Sequence, residues 1–99
     1  MTSVKSVREF RKIVKLSEQH SLTVSGSHTE TRGNTLYETQ WLDEKNEDDI
    51  VVARFRQWTN QSTQPPYRKQ MGWERFSAKG ALLDREIRYS KRDSNEWLH

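Results

Sequence analysis

The segment DIVVARFRQWTN, residues 49–60, decides how the rest of the chain can fold. Side chains on an extended chain point alternately to two faces, so Phe55 lies on one face of this segment. Arg54, Arg56 and Trp58 lie on the other face. Alternation of this kind is typical of an antiparallel strand that has one buried and one solvated side. The segment therefore predicts a strand whose arginine–tryptophan face is turned away from the core.

A helix is predicted before the strands, over residues 6–19, SVREFRKIVKLSEQ. Ser6 and Glu9 have the S-x-x-E spacing of a capping box, in which each side chain bonds an amide of the first helical turn. Phe10 and Val14 belong to an apolar stripe at helical spacing. Basic side chains occupy the opposite face of this helix. They fit a solvated helix surface better than a phosphate-binding stripe.

From His20 onward the apolar period changes to two, which predicts four or five antiparallel strands over residues 21–90. Turn signals divide this region at GN 33–34, in the acidic loop DEKNEDD 43–49, at QSTQPP 61–66 and at AKGA 78–81. The short connections favour a meander of sequence neighbours. The tail, residues 91–99, has no clear period, and we expect it to be irregular.

These elements predict one α+β domain, residues 1–99, in which the N-terminal helix packs on a four- to five-stranded antiparallel meander sheet. A strongly curled sheet, close to a small β-barrel, is the alternative. The predicted core comprises Phe10, Ile13, Val14, Leu22, Val24, Tyr37, Trp41, Val51, Phe55, Trp73, Leu83 and Ile87. Phe76 joins that face only if a bulge near residues 72–75 shifts the register by one residue.

The composition limits the kinds of protein that this chain can be. Hydrophobic residues make up 31%, and the four Trp, three Tyr and three Phe supply much of the area that a core can bury. The absence of cysteine excludes a disulfide framework, a thiolate zinc site and a thiol nucleophile. No apolar run approaches the roughly 20 residues that span a bilayer, and no signal-peptide core follows the first residues. We therefore expect a cytoplasmic protein without a membrane partner.

Catalytic and metal-binding patterns find little support in the sequence. His20, His28 and His99 are scattered without the spacing of metal ligands. The acidic residues 44–49 lack the fixed ligand order of a calcium loop. No phosphate-binding glycine loop and no nucleophile elbow is present. We therefore expect no enzyme, no cofactor and no metal site.

The candidate site combines the arginine–tryptophan face with the loop that follows it, and comprises Arg54, Arg56, Trp58, Tyr67 and Arg68. Residues 51–75 hold five basic side chains and one acidic side chain. The simpler interpretation of this face is a ladder of opposite charges across neighbouring strands. The functional interpretation is a partner-binding face, because arginine and tryptophan are enriched at protein interfaces and also stack on bases.

The sequence thus favours a small non-enzymatic binding or adaptor domain that contacts a macromolecule through this face. A protein partner or self-association is favoured over a nucleic acid. The net charge of +3 is modest, and the acidic stretch in residues 26–50 would repel phosphates. The alternative is a small-ligand carrier with a pocket between the helix and a curled sheet.

Overall fold

The computed structural model describes residues 4–90 and 97–98, and it begins with a short helix, α1, Val7–Val14. The Oγ of Ser6 accepts a hydrogen bond from the amide of Glu9 at 3.3 Å and donates to the Glu9 carboxylate at 3.1 Å. The bond from the Glu9 amide confirms the predicted helix start, whereas the Glu9 carboxylate accepts from the Ser6 hydroxyl and not from a backbone amide as the capping box predicts.

The helix ends earlier than the sequence predicts, at Val14 rather than near residue 19. Lys15 adopts a left-handed conformation with φ of 52°, and a residue in that conformation cannot continue a right-handed helix. The apolar spacing continues as far as Leu16, which is partly buried against the core although it lies outside the helix. Periodicity alone therefore overestimates the helix length.

Six antiparallel strands follow in one sheet, and their spatial order is their order in the chain. They are β1 (Ser21–Arg32), β2 (Thr35–Lys45), β3 (Val51–Ser62), β4 (Lys69–Ser77), β5 (Leu82–Ser90) and β6 (Trp97–Leu98). The α+β meander is confirmed, and the described strands do not close into a barrel. The two-residue β6 corrects part of the predicted irregular tail, whereas residues 91–96 and 99 lie outside the described residues.

The turns follow the sequence signals, although the acidic loop is shorter than predicted and the turn predicted at 61–66 occupies residues 63–68. Gly33 and Asn34 form the predicted two-residue hairpin turn between β1 and β2, and Gly33 has a positive φ of 55°. The predicted acidic loop is shorter than its sequence suggests, because β2 continues through Asp43 and Glu44 as far as Lys45. The buried carboxylate of Glu44 is held in the strand by His20, which precedes β1, and by Arg75 on β4.

The core lies between α1 and one face of the sheet, here termed the inner face, which carries Leu42, Phe55 and Trp73. The ring of Phe10 meets the ring of Phe55 edge-on at a centroid distance of 5.4 Å and that of Trp73 at 6.3 Å. The buried cluster is Phe10, Leu22, Leu42 and Phe55, and Val7, Val14, Leu16 and Trp73 pack partly buried against it. The core is therefore small and aromatic.

The predicted burial of Trp41 is wrong. The register sets Leu42 opposite Phe55 and Trp41 opposite Arg56, so Trp41 lies on the face that points away from α1. Trp41 is 40% exposed, whereas Leu42 is fully buried. Apolar residues occur at both parities of β2, and the inner parity also carries Glu38 and Glu44. The large rings of Tyr37 and Trp41 therefore led to the wrong prediction of which face of β2 is buried.

Other members of the predicted core also lie elsewhere. Tyr37 and Ile87 point to the same outward face as Trp41 and are half-buried. Val24 shares the inner face with Leu42 but is exposed, whereas Leu22 on the same edge strand is buried. Leu83 is also exposed.

The bulge predicted in strand four lies in β5 instead. The pairing of β4 with β3 is regular throughout. Between β4 and β5 the register shifts where Arg75 pairs with Asp84 and Phe76 pairs with Leu82, so Leu83 is the extra residue. Phe76 therefore lies on the opposite face from Trp73.

Two adjacent residues of β2 test this register. We expect Leu42→Ala to lower the free energy of unfolding by about 2–5 kcal/mol, because it leaves a cavity in a closed core. Trp41→Ala should cost only about 1 kcal/mol, since it removes one aromatic contact and a ring that is partly solvated. Denaturant titration of both variants measures the difference, and a larger loss for Trp41→Ala would show that the register is wrong.

Candidate functional site

The sheet face opposite α1, here termed the outer face, contains the predicted arginine–tryptophan row. Arg54, Arg56 and Trp58 lie side by side on β3, as their alternation predicts. On the three strands β2, β3 and β4 the outer face carries Tyr37, Thr39, Trp41, Asp43, Arg54, Arg56, Trp58, Asn60, Glu74 and Phe76. The aromatic side chains thus come from three neighbouring strands, and the basic ones come from β3.

Glu74 organises the middle of the outer face. It lies directly opposite Arg56 and is 8% exposed. The Nε of Arg56 donates to one carboxylate oxygen at 2.6 Å, and the indole Nε1 of Trp58 donates to the other at 2.8 Å. Because hydrogen bonds to an ionised group are strong, the carboxylate fixes both side chains. Arg56 and Trp58 therefore form part of the cross-strand ladder that the simpler interpretation predicts.

Trp58 also has a packing partner in Gly72, the residue opposite it on β4. A Cβ atom added to Gly72 would lie 2.7 Å from Cζ2 of Trp58 and 2.7 Å from the carbonyl oxygen of Glu86. The indole therefore lies over the bare backbone of Gly72. The sequence alone gave no packing partner for Trp58, whereas the structure leaves it half-buried.

Arg54 is less constrained than Arg56. Its side chain is 58% exposed, and its Nε lies 3.4 Å from a carboxylate oxygen of Asp43 on β2. Trp41 and Phe76 approach each other from the strands on either side of β3, with ring centroids 6.0 Å apart. Together with the turn at residues 77–80, these side chains border an open cleft of about 410 Å³.

The structure places Tyr67 and Arg68 at the far end of this sheet. They lie in the loop between β3 and β4, and Tyr67 is 58% exposed. The carbonyl oxygen of Arg68 accepts from the amide of Ser62 at 2.9 Å, which continues the β3–β4 register. Ser62 is four residues beyond Trp58, or roughly 13 Å at 3.3 Å per residue. Tyr67 and Arg68 therefore continue the row of Arg54, Arg56 and Trp58 along the sheet and do not surround Trp58.

Sequence reasoning missed Trp41 and Phe76 as members of this surface. Trp41 was predicted to be buried, and the position of Phe76 depended on a bulge. The available signal was Leu42, because burying it turns its neighbour Trp41 outward. No local pattern places Phe76 beside Trp41, since their contact depends on the register of β2 and β4 across β3.

The space between α1 and the sheet bears on the carrier alternative. A cavity of about 30 Å³ lies beside Phe10 and Trp73, far below the 300–1,000 Å³ typical of ligand pockets. Gln57 narrows this space, because its amide donates to the Lys5 carbonyl and to Gln40 at 2.7 Å each. A groove of about 560 Å³ near the start of α1 has many polar side chains in its walls. The cavity is too small for a ligand, whereas the groove lies within that range of volumes and has walls that suit a polar ligand better than an apolar one.

The titratable side chains that meet on the inner face hold elements of the fold together. Glu44 is 2% exposed, and its carboxylate contacts Nδ1 of His20 at 2.6 Å and Nη2 of Arg75 at 3.0 Å. These contacts join the segment after α1 to β2 and β4. Within residues 4–90 and 97–98, no group of three or more His, Asp or Glu side chains is placed to hold a metal ion.

The carboxylate of Glu74 provides the first test of the outer face. Glu74→Ala leaves the donors of Arg56 and Trp58 without their acceptor, so we expect it to lower the free energy of unfolding by about 1–3 kcal/mol. The matched control is Glu47→Ala in the exposed β2–β3 loop, which should stay within about 0.5 kcal/mol of wild type. Urea titration measures both, and equal small losses would mean that Glu74 does not organise the face.

The bare backbone of Gly72 provides the second test. The methyl group of Gly72→Ala would clash with the ring of Trp58 and with a backbone carbonyl oxygen. We therefore expect this substitution to lower the free energy of unfolding by about 1–3 kcal/mol. Gly26→Ala is the control, because nothing lies within 4 Å of an added Cβ there. Urea titration together with tryptophan fluorescence measures stability and displacement of the indole. An unchanged stability and spectrum for Gly72→Ala would contradict the close contact.

Comparison of the chain with protein-family models, with curated proteins and with solved structures found no match. None of the helices in the described part of the chain is long and apolar enough to cross a membrane. The function is therefore inferred from the chemistry of the outer face itself.

Proposed function

We propose that this protein is a non-enzymatic binding domain that docks a protein partner on the outer face of its sheet. The observation that carries the proposal is the open Trp41–Phe76 pair beside Arg54. Arg56 and Trp58 border this surface, and Tyr67 and Arg68 extend it as the predicted end of the same footprint.

The aromatic pair supplies the source of binding energy. Trp41 keeps 40% of its surface in water although it contacts Phe76. Removing apolar surface from water contributes about 25 cal/mol per Å². Tryptophan and arginine are also the residues most often found at the energetic centre of protein interfaces. A partner that covers this pair would gain more binding free energy here than on the charged remainder of the sheet.

The charges around the cleft favour acidic groups on the partner. The described acids of the outer face are already engaged, since Asp43 lies beside Arg54 and Glu74 accepts from Arg56. Lys79 lines the cleft and is exposed, and Arg85 is exposed on the neighbouring strand opposite Glu74. We therefore expect the partner to place a carboxylate near Arg54 and Lys79.

A protein surface fits this charge pattern better than a phosphate backbone. The loop between β2 and β3, with exposed Glu47, Asp48 and Asp49, lies at the same end of the sheet as the cleft. A uniform polyanion that reached the cleft would meet these carboxylates and be repelled. A protein can place an acid at Arg54 and a base at the loop. The mixed pattern therefore favours a protein partner.

Binding by matched variants tests the proposal. Wild type, Trp41→Ala, Arg54→Glu and the helix-surface control Lys12→Ala are used to capture proteins from native extract. A captured protein is then purified, and its dissociation constant is measured by calorimetry. We expect Trp41→Ala and Arg54→Glu to weaken binding at least about tenfold, and Lys12→Ala to leave it within about twofold.

Two results would contradict the proposal. One is an unchanged dissociation constant in both outer-face variants, after circular dichroism shows that they are folded. The other is salt-dependent binding of a single-stranded oligothymidylate that loses about one unit of salt slope in Arg54→Ala, which would identify a nucleic-acid partner instead.

A further inference from the structure

The first strand, β1, forms an open edge of the sheet. It has twelve residues and pairs only with β2, and no other described strand covers its free side. Natural edge strands are usually protected by proline, lysine, short length or a bulge. β1 contains neither proline nor lysine, and its one irregularity lies between Val24 and Gly26. Glu30 and Arg32 are the charged side chains in this stretch, and residues 26–32 form a regular segment of free edge along which another strand can pair.

The hairpin turn determines which backbone groups point to this edge. Residues that flank a two-residue turn exchange hydrogen bonds, so Arg32 directs its amide and carbonyl to Thr35 on β2. This direction alternates along a strand. His28 and Glu30 therefore also bond to β2, whereas the intervening residues present their amides and carbonyls to the open side. Those residues are Ser27, Thr29 and Thr31.

The side chains of residues 26–32, here termed the open stretch, are complementary to those of a second copy that runs antiparallel to it. On the outer face, His28 and Glu30 lie on either side of Thr29. A two-fold axis at Thr29, perpendicular to the sheet, sets His28 opposite Glu30 of a second copy, and this pair occurs twice. On the inner face, Thr29 meets Thr29 of the second copy, and Ser27 meets Thr31. Threonine pairs stabilise cross-strand contacts, and a histidine ring N–H can donate a hydrogen bond to a carboxylate opposite it.

Neighbouring registers lose either this match or much of the overlap. An axis at Glu30 sets the two Glu30 carboxylates against each other and His28 against Arg32. An axis at His28 leaves Glu30 opposite Gly26. An axis at Thr31 sets Glu30 opposite Arg32, but it shortens the overlap to the residues next to the turn. The hydrogen bond from Arg32, at 2.7 Å, holds the pKa of the Glu30 carboxyl below its ordinary value, so Glu30 stays charged.

We propose that two copies of this chain associate edge to edge through β1, antiparallel, around a two-fold axis at Thr29. Three residue pairs exchange about six backbone hydrogen bonds in this arrangement. Little apolar area is buried, so the dimer is reversible and depends on concentration. The proposal uses none of the residues of the cleft and stands independently of the proposed function.

Single cysteines test the axis, because the chain has none of its own. Thr29 on the axis forms a hydrogen-bonded pair with its own copy at a Cα separation of about 5.5 Å, which a disulfide can span. We expect Thr29→Cys to form a disulfide-linked dimer at least about tenfold faster than Thr31→Cys or the exposed control Thr23→Cys. Equal rates for Thr29→Cys and Thr23→Cys would overturn the proposal, as would a faster rate for Thr31→Cys.

Charge exchange provides a second test that uses no cross-link. His28→Glu makes the open stretch more acidic, and His28→Lys/Glu30→Lys makes it basic. Each folded variant alone should sediment as a monomer at concentrations where wild type dimerises, because like charges then face each other. An equimolar mixture should restore a one-to-one heterodimer. A wild type that stays monomeric, as expected if this edge binds another protein's strand, would overturn the proposal, and so would a mixture without heterodimer.

Discussion

The edge-to-face contact between Phe10 and Phe55 is the interaction on which the rest of the structure depends. Both rings are buried, one on the single described helix and the other in the middle of the sheet. Strand side chains alternate with a period of two, so burying Phe55 forces Arg54 and Arg56 to the opposite face. The regular pairing of β3 with β2 and β4 then determines which face each neighbouring side chain occupies. The functional surface is in this sense a consequence of the core.

Two buried carboxylates reinforce this register, one on each side of the sheet. Glu44 contacts His20 and Arg75 on the inner face, and Glu74 contacts Arg56 and Trp58 on the outer face. Buried ion pairs add little net stability, but the loss of one partner is costly. A shift of β4 by one residue would break both sets of contacts. In a chain with few apolar residues, such pairs help to specify a single arrangement.

Local chemistry made much of the fold predictable from the sequence. The serine and glutamate at the helix start, the glycine of the first hairpin and the alternation of β3 each act within a few residues. The end of α1 was not predictable, because the left-handed Lys15 interrupts a pattern that continues to Leu16. The face of β2 was not predictable either, since Trp41 and Leu42 are adjacent and both are apolar.

The candidate surface was likewise predictable from the sequence only in part. The row of Arg54, Arg56 and Trp58 follows from local alternation. The Trp41–Phe76 contact joins residues from two strands that do not pair with each other, so it appears only once both registers across β3 are known. Sequence reasoning identified the strand at the centre of the surface. It could not identify the rings beside it, because their positions depend on non-local pairing.

The proposed edge and the proposed face have a geometric relation. A two-fold axis perpendicular to the sheet keeps the outer faces of both copies on the same side. The dimer would therefore present two Trp41–Phe76 clefts to one partner surface, related by the axis at Thr29. A partner with two matching sites would gain from effective concentration, and its apparent affinity could exceed that of either cleft alone. A weak edge contact and a small aromatic cleft can in this way give tight binding together.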